Sequence, residues 1–186
     1  MSNAREQILQ TTCDLLEKQG YHGTGLNEIV KESGTPKGSL YYYFPEGKEQ
    51  ITAEAVLQSG RVVSERVRTG LTARNSPAKA IYEFILLIAE NVEQSGFAAG
   101  SPLTAVAMET ATQSERINLA CREAYGMLQA AFREKLLDSG FSTTQAEELG
   151  TFIVAAVEGG IILSRVSHTA DPLRLVAKQL KPLLYI

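Results

Sequence analysis

Apolar residues recur at spacings of three and four along most of this chain, the period of helices that bury one stripe. Ile8, Leu15 and Leu16 share a face of a stretch running from Asn3 to Gln19, and Gly20 follows as a natural stop. Leu26, Ile29 and Val30 predict a short second helix over 25–32, with Thr24 placed to cap it. "SGTP" ends that helix, and Thr35 and Pro36 then read as the cap and first residue of a third. Farther on the segments lengthen. Helices are predicted over 47–69, 77–94, 103–112, 114–139, 143–166 and 172–184, with breaks at "ARNSP" and at the loop "SGFAAGSP". No stretch alternates with a strand's period of two, and no internal repeat is present. The pattern predicts an all-α chain of about nine helices in two parts, 1–48 and 49–186, joined inside the fourth helix.

Composition changes this picture little. The 186 residues are 44% hydrophobic and 21% charged, ordinary values for a globular chain. The net charge of −3 gives no bulk pull toward nucleic acid, so an argument for DNA must rest on local arrangement. Cys13 and Cys121 lie far apart in helical segments without neighbouring histidine, which predicts buried reduced thiols and no metal or cofactor. The N-terminus shows no charged-then-apolar leader, and runs such as "FILLIA" and "GGIIL" are too short to cross a bilayer. A cytoplasmic protein without a membrane partner is expected.

The third helix carries the informative chemistry. Helices two and three, joined through "ESGTP", have the spacing of a helix-turn-helix, whose second helix enters the DNA major groove. On a helix starting at Pro36, Leu40 and Phe44 form one apolar face. Lys37 and Tyr41 make a second row and Gly38 and Tyr42 a third, both turned away from that face. Gly38 permits close backbone approach, and tyrosine hydroxyls donate to phosphate oxygens. Lys37 and Lys48 both sit at helix beginnings, where a cation is disfavoured by roughly 0.3–1 kcal/mol. Such placement asks for an anion, and DNA phosphates would supply it. The alternative is a helical hairpin whose tyrosines form a core corner. "GTPKGS" is one residue short of a phosphate-binding P-loop and has Ser39 where that motif needs lysine. His22 and His168 lack the companions of a metal or nucleophile motif, so no enzyme is expected.

The whole stretch "GYHGTGLNEIVKESGTPKGSLYYYFPEGKEQI" resembles the signature of the TetR family of bacterial transcriptional repressors, over about residues 5–55. The region around "MET" and the later "EGGIILSR" resemble the branch containing repressors of drug-resistance exporters. The resemblance implies DNA contacts from Thr35, Lys37, Gly38, Tyr41, Tyr42 and Lys48, with Thr24 touching the backbone as it caps helix two. Tyr43 stands where many members have histidine, and "FPEGKE" is one residue longer than the commonest form of that segment.

The C-terminal part reads less specifically. "TFIVAAVEGGIILSRV" sets Ala155, Ala156, Gly159 and Gly160 beside Phe152, Ile153, Ile162 and Leu163. With Leu173, Val176, Leu180 and Leu183 of the last helix, this predicts half of a four-helix homodimer interface; the alternative is that both helices are internal core. A dimer would set two recognition helices one DNA turn apart on a palindromic operator. Phe84, Leu87, Ile88, Phe97, Met108, Leu119, Tyr125, Leu128 and Phe152 are candidates to line a pocket for a small apolar effector. Glu109 and Glu158 interrupt apolar surroundings, as ligand anchors or as salt-bridged or solvated groups. The expected function is a ligand-responsive repressor; the alternative is a helical small-molecule-binding protein without a regulatory role on DNA.

Overall fold

The hydrophobic stripes resolve into nine α-helices and a final 3-10 turn, with no strand among the described residues. The computed structural model describes residues 4–98, 100 and 102–185. The helices are α1 Ala4–Gly23, α2 Leu26–Ser33, α3 Lys37–Tyr43, α4 Lys48–Thr72, α5 Pro77–Gln94, α6 Pro102–Thr110, α7 Glu115–Asp138, α8 Thr143–Ser167 and α9 Asp171–Leu180. The expected helix start at Asn3 and two positions of the "SGFAAGSP" loop, Ala99 and Ser101, lie outside the described residues.

Two compact units divide the chain: Met1–Arg61 with Ser101–Tyr125, and Val62–Gly100 with Gly126–Ile186. The division falls inside α4, between 61 and 62, and the first unit takes in α6 and the head of α7. The physical reason lies in the small core. Ile8, Leu16, Ile29, Leu40 and Phe44 are fully buried or nearly so, yet three short helices cannot cover such a core on their own. Leu103 and Val106 of α6 and Ile117 of α7 close it, with α6 lying along α1.

In the second unit α5, α8 and α9 pack together. Ile81, Ile85 and Ala89 of α5, Ile153, Val154 and Val157 of α8, and Leu173, Ala177 and Leu180 of α9 fill the interior. Gly160 makes the α8 to α9 approach possible, since a Cβ there would lie 2.9 Å from Leu173 Cδ2. α8 opens on a capping box, Ser142 Oγ accepting the Gln145 N–H while Gln145 reaches back to the Ser142 N–H. By length and composition alone α8 is apolar enough to cross a membrane, longer than its broken apolar runs suggested. Only part of that apolar surface is spent on the core, and Phe152, Ile162, Leu163 and Val166 stay exposed.

Candidate nucleic-acid interface

The turn between α2 and α3 is set by backbone chemistry. Gly34 ends α2 in the left-handed region, φ 65°, and its N–H bonds to the Lys31 carbonyl; glycine reaches this conformation without Cβ strain. Pro36, with φ −59°, is the N-cap of α3, so Lys37 and not Pro36 is the first helical residue. Neither α2 nor α3 has a side-chain cap. The caps expected at Thr24 and Thr35 are therefore corrected. The Thr24 hydroxyl donates to the Gly20 carbonyl at 2.7 Å, and Thr35 lies 2.8 Å from the Ser33 hydroxyl. Both threonines are buried, because local backbone acceptors and the small core claim them ahead of the helix ends.

Leu40 and Phe44 are fully buried and hold α3 against the core. That orientation turns Lys37, Gly38, Tyr41 and Tyr42 outward, Tyr41 at 46% and Tyr42 at 79% exposure. Tyr43 is half-buried and supports the row, its ring edge-on to Tyr42 at 5.0 Å and tilted against Phe44 at 6.5 Å. Lys48 opens α4, and its ammonium lies 4.3 Å from the centre of the Tyr21 ring, within cation–π range. Partial burial pulls the Lys48 pKa down, while the Glu109 carboxylate opposes that shift. Glu109 in turn accepts the His22 backbone N–H at 2.7 Å. The sequence had no signal for this link, which joins residues 87 positions apart. Two further contacts tie the head of α4 and the turn before it to the start of α7: Glu49 accepts the Ser114 hydroxyl and Glu46 pairs with Arg116.

Known proteins match the stretch of chain that carries these residues. Residues 8–55 match the model for bacterial regulatory proteins of the tetR family. Residues 77–179 match the C-terminal domain of LmrA/YxaF-like transcriptional regulators. The chain is 41% identical to the HTH-type transcriptional regulator YxaF of Bacillus subtilis over 182 residues, covering 98% of this chain and 95% of YxaF. It is 38% identical to LmrA of the same organism, covering 98% and 97%. The chain belongs to the TetR family of transcriptional regulators. The fold agrees: the reduced form of E. coli NemR superposes with a TM-score of 0.83 at 21% identity, over 98% of each chain.

The remaining expected sites of this TetR-family regulator fall in both units. In the first unit Tyr125 shares a hydrogen bond with Thr104 at 3.0 Å, and Met108, at 79% exposure, and Leu119 face solvent. The helical period explains this: Leu103, Val106 and Thr110 take the inner face of α6, and Ile117, Ala120 and Ala124 that of α7. In the second unit Phe84 meets Phe132 edge-on at 6.2 Å and Leu128 is buried. Ile88 is half-buried, and Leu87 is exposed. Phe97, in a left-handed conformation, stacks edge-on to His168 at 5.5 Å. Phe152 lines a shallow surface depression with Glu147, Glu148, Thr151 and Ala155. Tyr125, Met108 and Leu119 belong to the first unit, and Phe84, Leu87, Ile88, Phe97, Leu128 and Phe152 to the second.

The expected dimer residues divide by face. Gly160, Leu173 and Leu180 are buried inside the second unit and Val176 is half-buried against Gly160, which corrects their assignment to an outer seam. Phe152, Ala155 and Leu163 face outward, with Ala156 and Gly159 at the margin. Beside them stand Ile162 and Leu183, which the sequence also set in that seam, and Val166 and Leu175, which it left out. α8 is apolar around much of its circumference, so its own pattern gave no sign of which face would turn inward.

Proposed function

We propose that this regulator is a repressor that binds a palindromic operator as a homodimer and is released by a small apolar molecule, controlling an efflux or detoxification gene in the cytoplasm. The observation that carries the reading is α3 itself. Leu40 and Phe44 anchor one face, and the opposite face offers only groups suited to a DNA backbone and groove edge: Lys37, Gly38, Tyr41 and Tyr42. The two uncapped helix starts add N–H donors of the kind that receive phosphate oxygens.

The outer face of α8 supports the dimer. Phe152, Ala155, Ile162, Leu163 and Val166, extended by Leu175 and Leu183, form an apolar surface that monomers seldom leave in water. Its head carries Glu147 and Glu148 and its tail Arg165, so an antiparallel pairing with a second copy sets opposite charges together in the self-complementary manner of a two-fold interface. The resemblance of the "EGGIILSR" segment to repressors of drug-resistance exporters supports the effector and exporter part of the reading.

Selection of duplexes from a random-sequence pool, followed by anisotropy titration and sedimentation of the complex, tests the proposal. The expected result is a two-fold symmetric consensus bound by two protomers, with affinity that falls as salt rises. A folded dimer that shows no sequence preference at low salt sinks it. A ligand that binds in calorimetry yet leaves duplex affinity unchanged would instead favour a small-molecule-binding role.

A further inference from the structure

The heads of α4 and α7 meet in the first unit, and their polar groups are stitched across. Farther along, the two helices stay close: a Cβ on Gly60 of α4 would lie 2.7 Å from the Ala124 Cβ of α7. Each head is the positive end of a helix dipole and favours a carboxylate. Glu49, in the first turn of α4, accepts the Ser114 hydroxyl. The Ser114 oxygen also accepts the Ile117 N–H at 3.1 Å and so caps α7. Glu46, in the turn before α4, pairs with Arg116 in the first turn of α7. Its own N–H is fixed as well, donating to Gln50 Oε1 at 3.1 Å. Between the two carboxylates Gly47, with φ 75°, turns the chain from α3 into α4, its N–H bonded to the Phe44 carbonyl at 3.0 Å. Lys48 follows, its ammonium 4.3 Å from the centre of the Tyr21 ring. The cross-helix contacts at 46 and 49 therefore flank Lys48 and fix the backbone that carries it. All of these residues lie in "FPEGKE", the segment whose extra length the reading of α3 leaves without a use.

We propose that Glu46 and Arg116, with Glu49 and Ser114 beside them, are positioning residues for DNA binding: they clamp the start of α4 to the start of α7 and hold Lys48 in place for a DNA phosphate. The Glu46 and Arg116 side chains are 57% and 43% exposed, and exposed ion pairs add little to folding. The clamp therefore acts on the orientation of the α4 head more than on the stability of the unit. This role rests on DNA binding as proposed above and on the phosphate contact expected of Lys48, and the experiment separates the three.

Glu46→Gln removes a charge and keeps the size of the side chain. Loss of a negative charge by itself tightens binding to DNA, whereas loss of the clamp weakens it, so the sign of the change decides. The full-length protein is compared with Glu46→Gln, Arg116→Met, the exchanged pair Glu46→Arg with Arg116→Glu, Lys48→Met, and Lys48→Met with Glu46→Gln. Each is titrated against one selected duplex at several salt concentrations, and its thermal unfolding is measured. Glu46→Gln and Arg116→Met are each expected to weaken binding about two- to fivefold per protomer, the population shift an exposed ion pair supports. Melting should fall by no more than about 4 °C. The exchanged pair, which again sets a carboxylate against a guanidinium, is expected to recover wild-type affinity. In the Lys48→Met background Glu46→Gln is expected to cause no further weakening. A folded Glu46→Gln or Arg116→Met protein that binds as tightly as wild type, or more tightly, overturns the proposal. So does a weakening that persists without Lys48, one matched by a larger fall in melting, or an exchanged pair that stays weak. Wild-type affinity and slope in Lys48→Met alone would remove the phosphate contact, and the clamp's role with it, while leaving the α3 row to stand on its own test. A wild-type protein that selects no duplex fails the proposed function itself.

Discussion

Lys37→Ala separates two effects that run in opposite directions. Lys37 is exposed, is the first residue of α3 and is the only charged residue in that helix. In the free protein its charge opposes the positive end of the helix dipole, a cost of roughly 0.3–1 kcal/mol that alanine does not carry. The variant should therefore keep its melting temperature or gain up to about 2–4 °C, the shift that 1 kcal/mol makes in a protein of this size. On DNA the same change removes one phosphate neutralisation from each protomer. The slope of log K against log salt should fall in magnitude by about 0.9 per protomer, or about 1.8 for a dimer. Between about 50 and 200 mM salt, wild type would then lose about twelvefold more affinity than the variant. Anisotropy titrations of a labelled selected duplex at five salt concentrations, paired with calorimetric melting, give both readouts. An unchanged slope would refute the placement of Lys37 on phosphate. A fall in affinity matched by a fall in melting temperature would show that alanine acts through folding and that the dipole argument has the wrong sign.

Other substitutions probe the remaining links. Tyr42→Phe removes one hydroxyl per protomer from the most exposed tyrosine of α3 and should weaken duplex binding about two- to twelvefold per protomer, or roughly 5- to 150-fold for the dimer, at about 0.5–1.5 kcal/mol for each hydrogen bond, with melting and salt slope unchanged. Leu40→Ala, at a fully buried position, should cost about 2–5 kcal/mol of stability, measured by urea unfolding. Leu163→Arg puts a charge on a residue 58% exposed in the single chain; sedimentation should show monomers whose far-ultraviolet spectrum is unchanged and whose duplex affinity is much reduced. Burial, with the Asp14 charge adding to it, pushes the Cys13 thiol from its ordinary 9.0 to about 12. Its folded pKa being raised, the stability it contributes is full below pH 9 and is lost as pH climbs from 9 toward 12. Melting temperature should accordingly decline across that window, and iodoacetamide at pH 8 should label Cys13 only after unfolding, because the thiolate is the reactive form.

The recognition helix was largely legible because its signals are local. Leu40 and Phe44, four apart, fix which way α3 faces, and that choice sends Lys37, Gly38, Tyr41 and Tyr42 to the opposite side whatever else the chain does. Gly34 and Pro36 announce the turn in the same local way, through φ angles each residue prefers. The capping roles of Thr24 and Thr35 failed for a reason no pattern shows. A threonine beside a helix start also meets the carbonyl at the end of α1 or the Ser33 hydroxyl, and tertiary packing decides between the bonds.

Along the rest of the chain, periodicity found the helices and misjudged their partners. α8 is apolar on more than one face, and only the packed chain showed that Gly160 turns toward Leu173 and Val176 of α9 while Leu163 and Val166 stay outside. Met108 and Leu119 looked like pocket residues because they are apolar, yet each lies across its helix from the buried row.

By itself, then, the sequence determined the helices, the α2–α3 turn and the outward face of α3, all consequences of interactions within a few residues along the chain. The tertiary structure alone decided that α6 completes the first unit, that Glu109 reaches the turn at Gly20 and His22, and that Lys48 rests on Tyr21. Those contacts join residues tens of positions apart, and an apolar stripe or a lone charge specifies what it needs without specifying which distant residue will supply it.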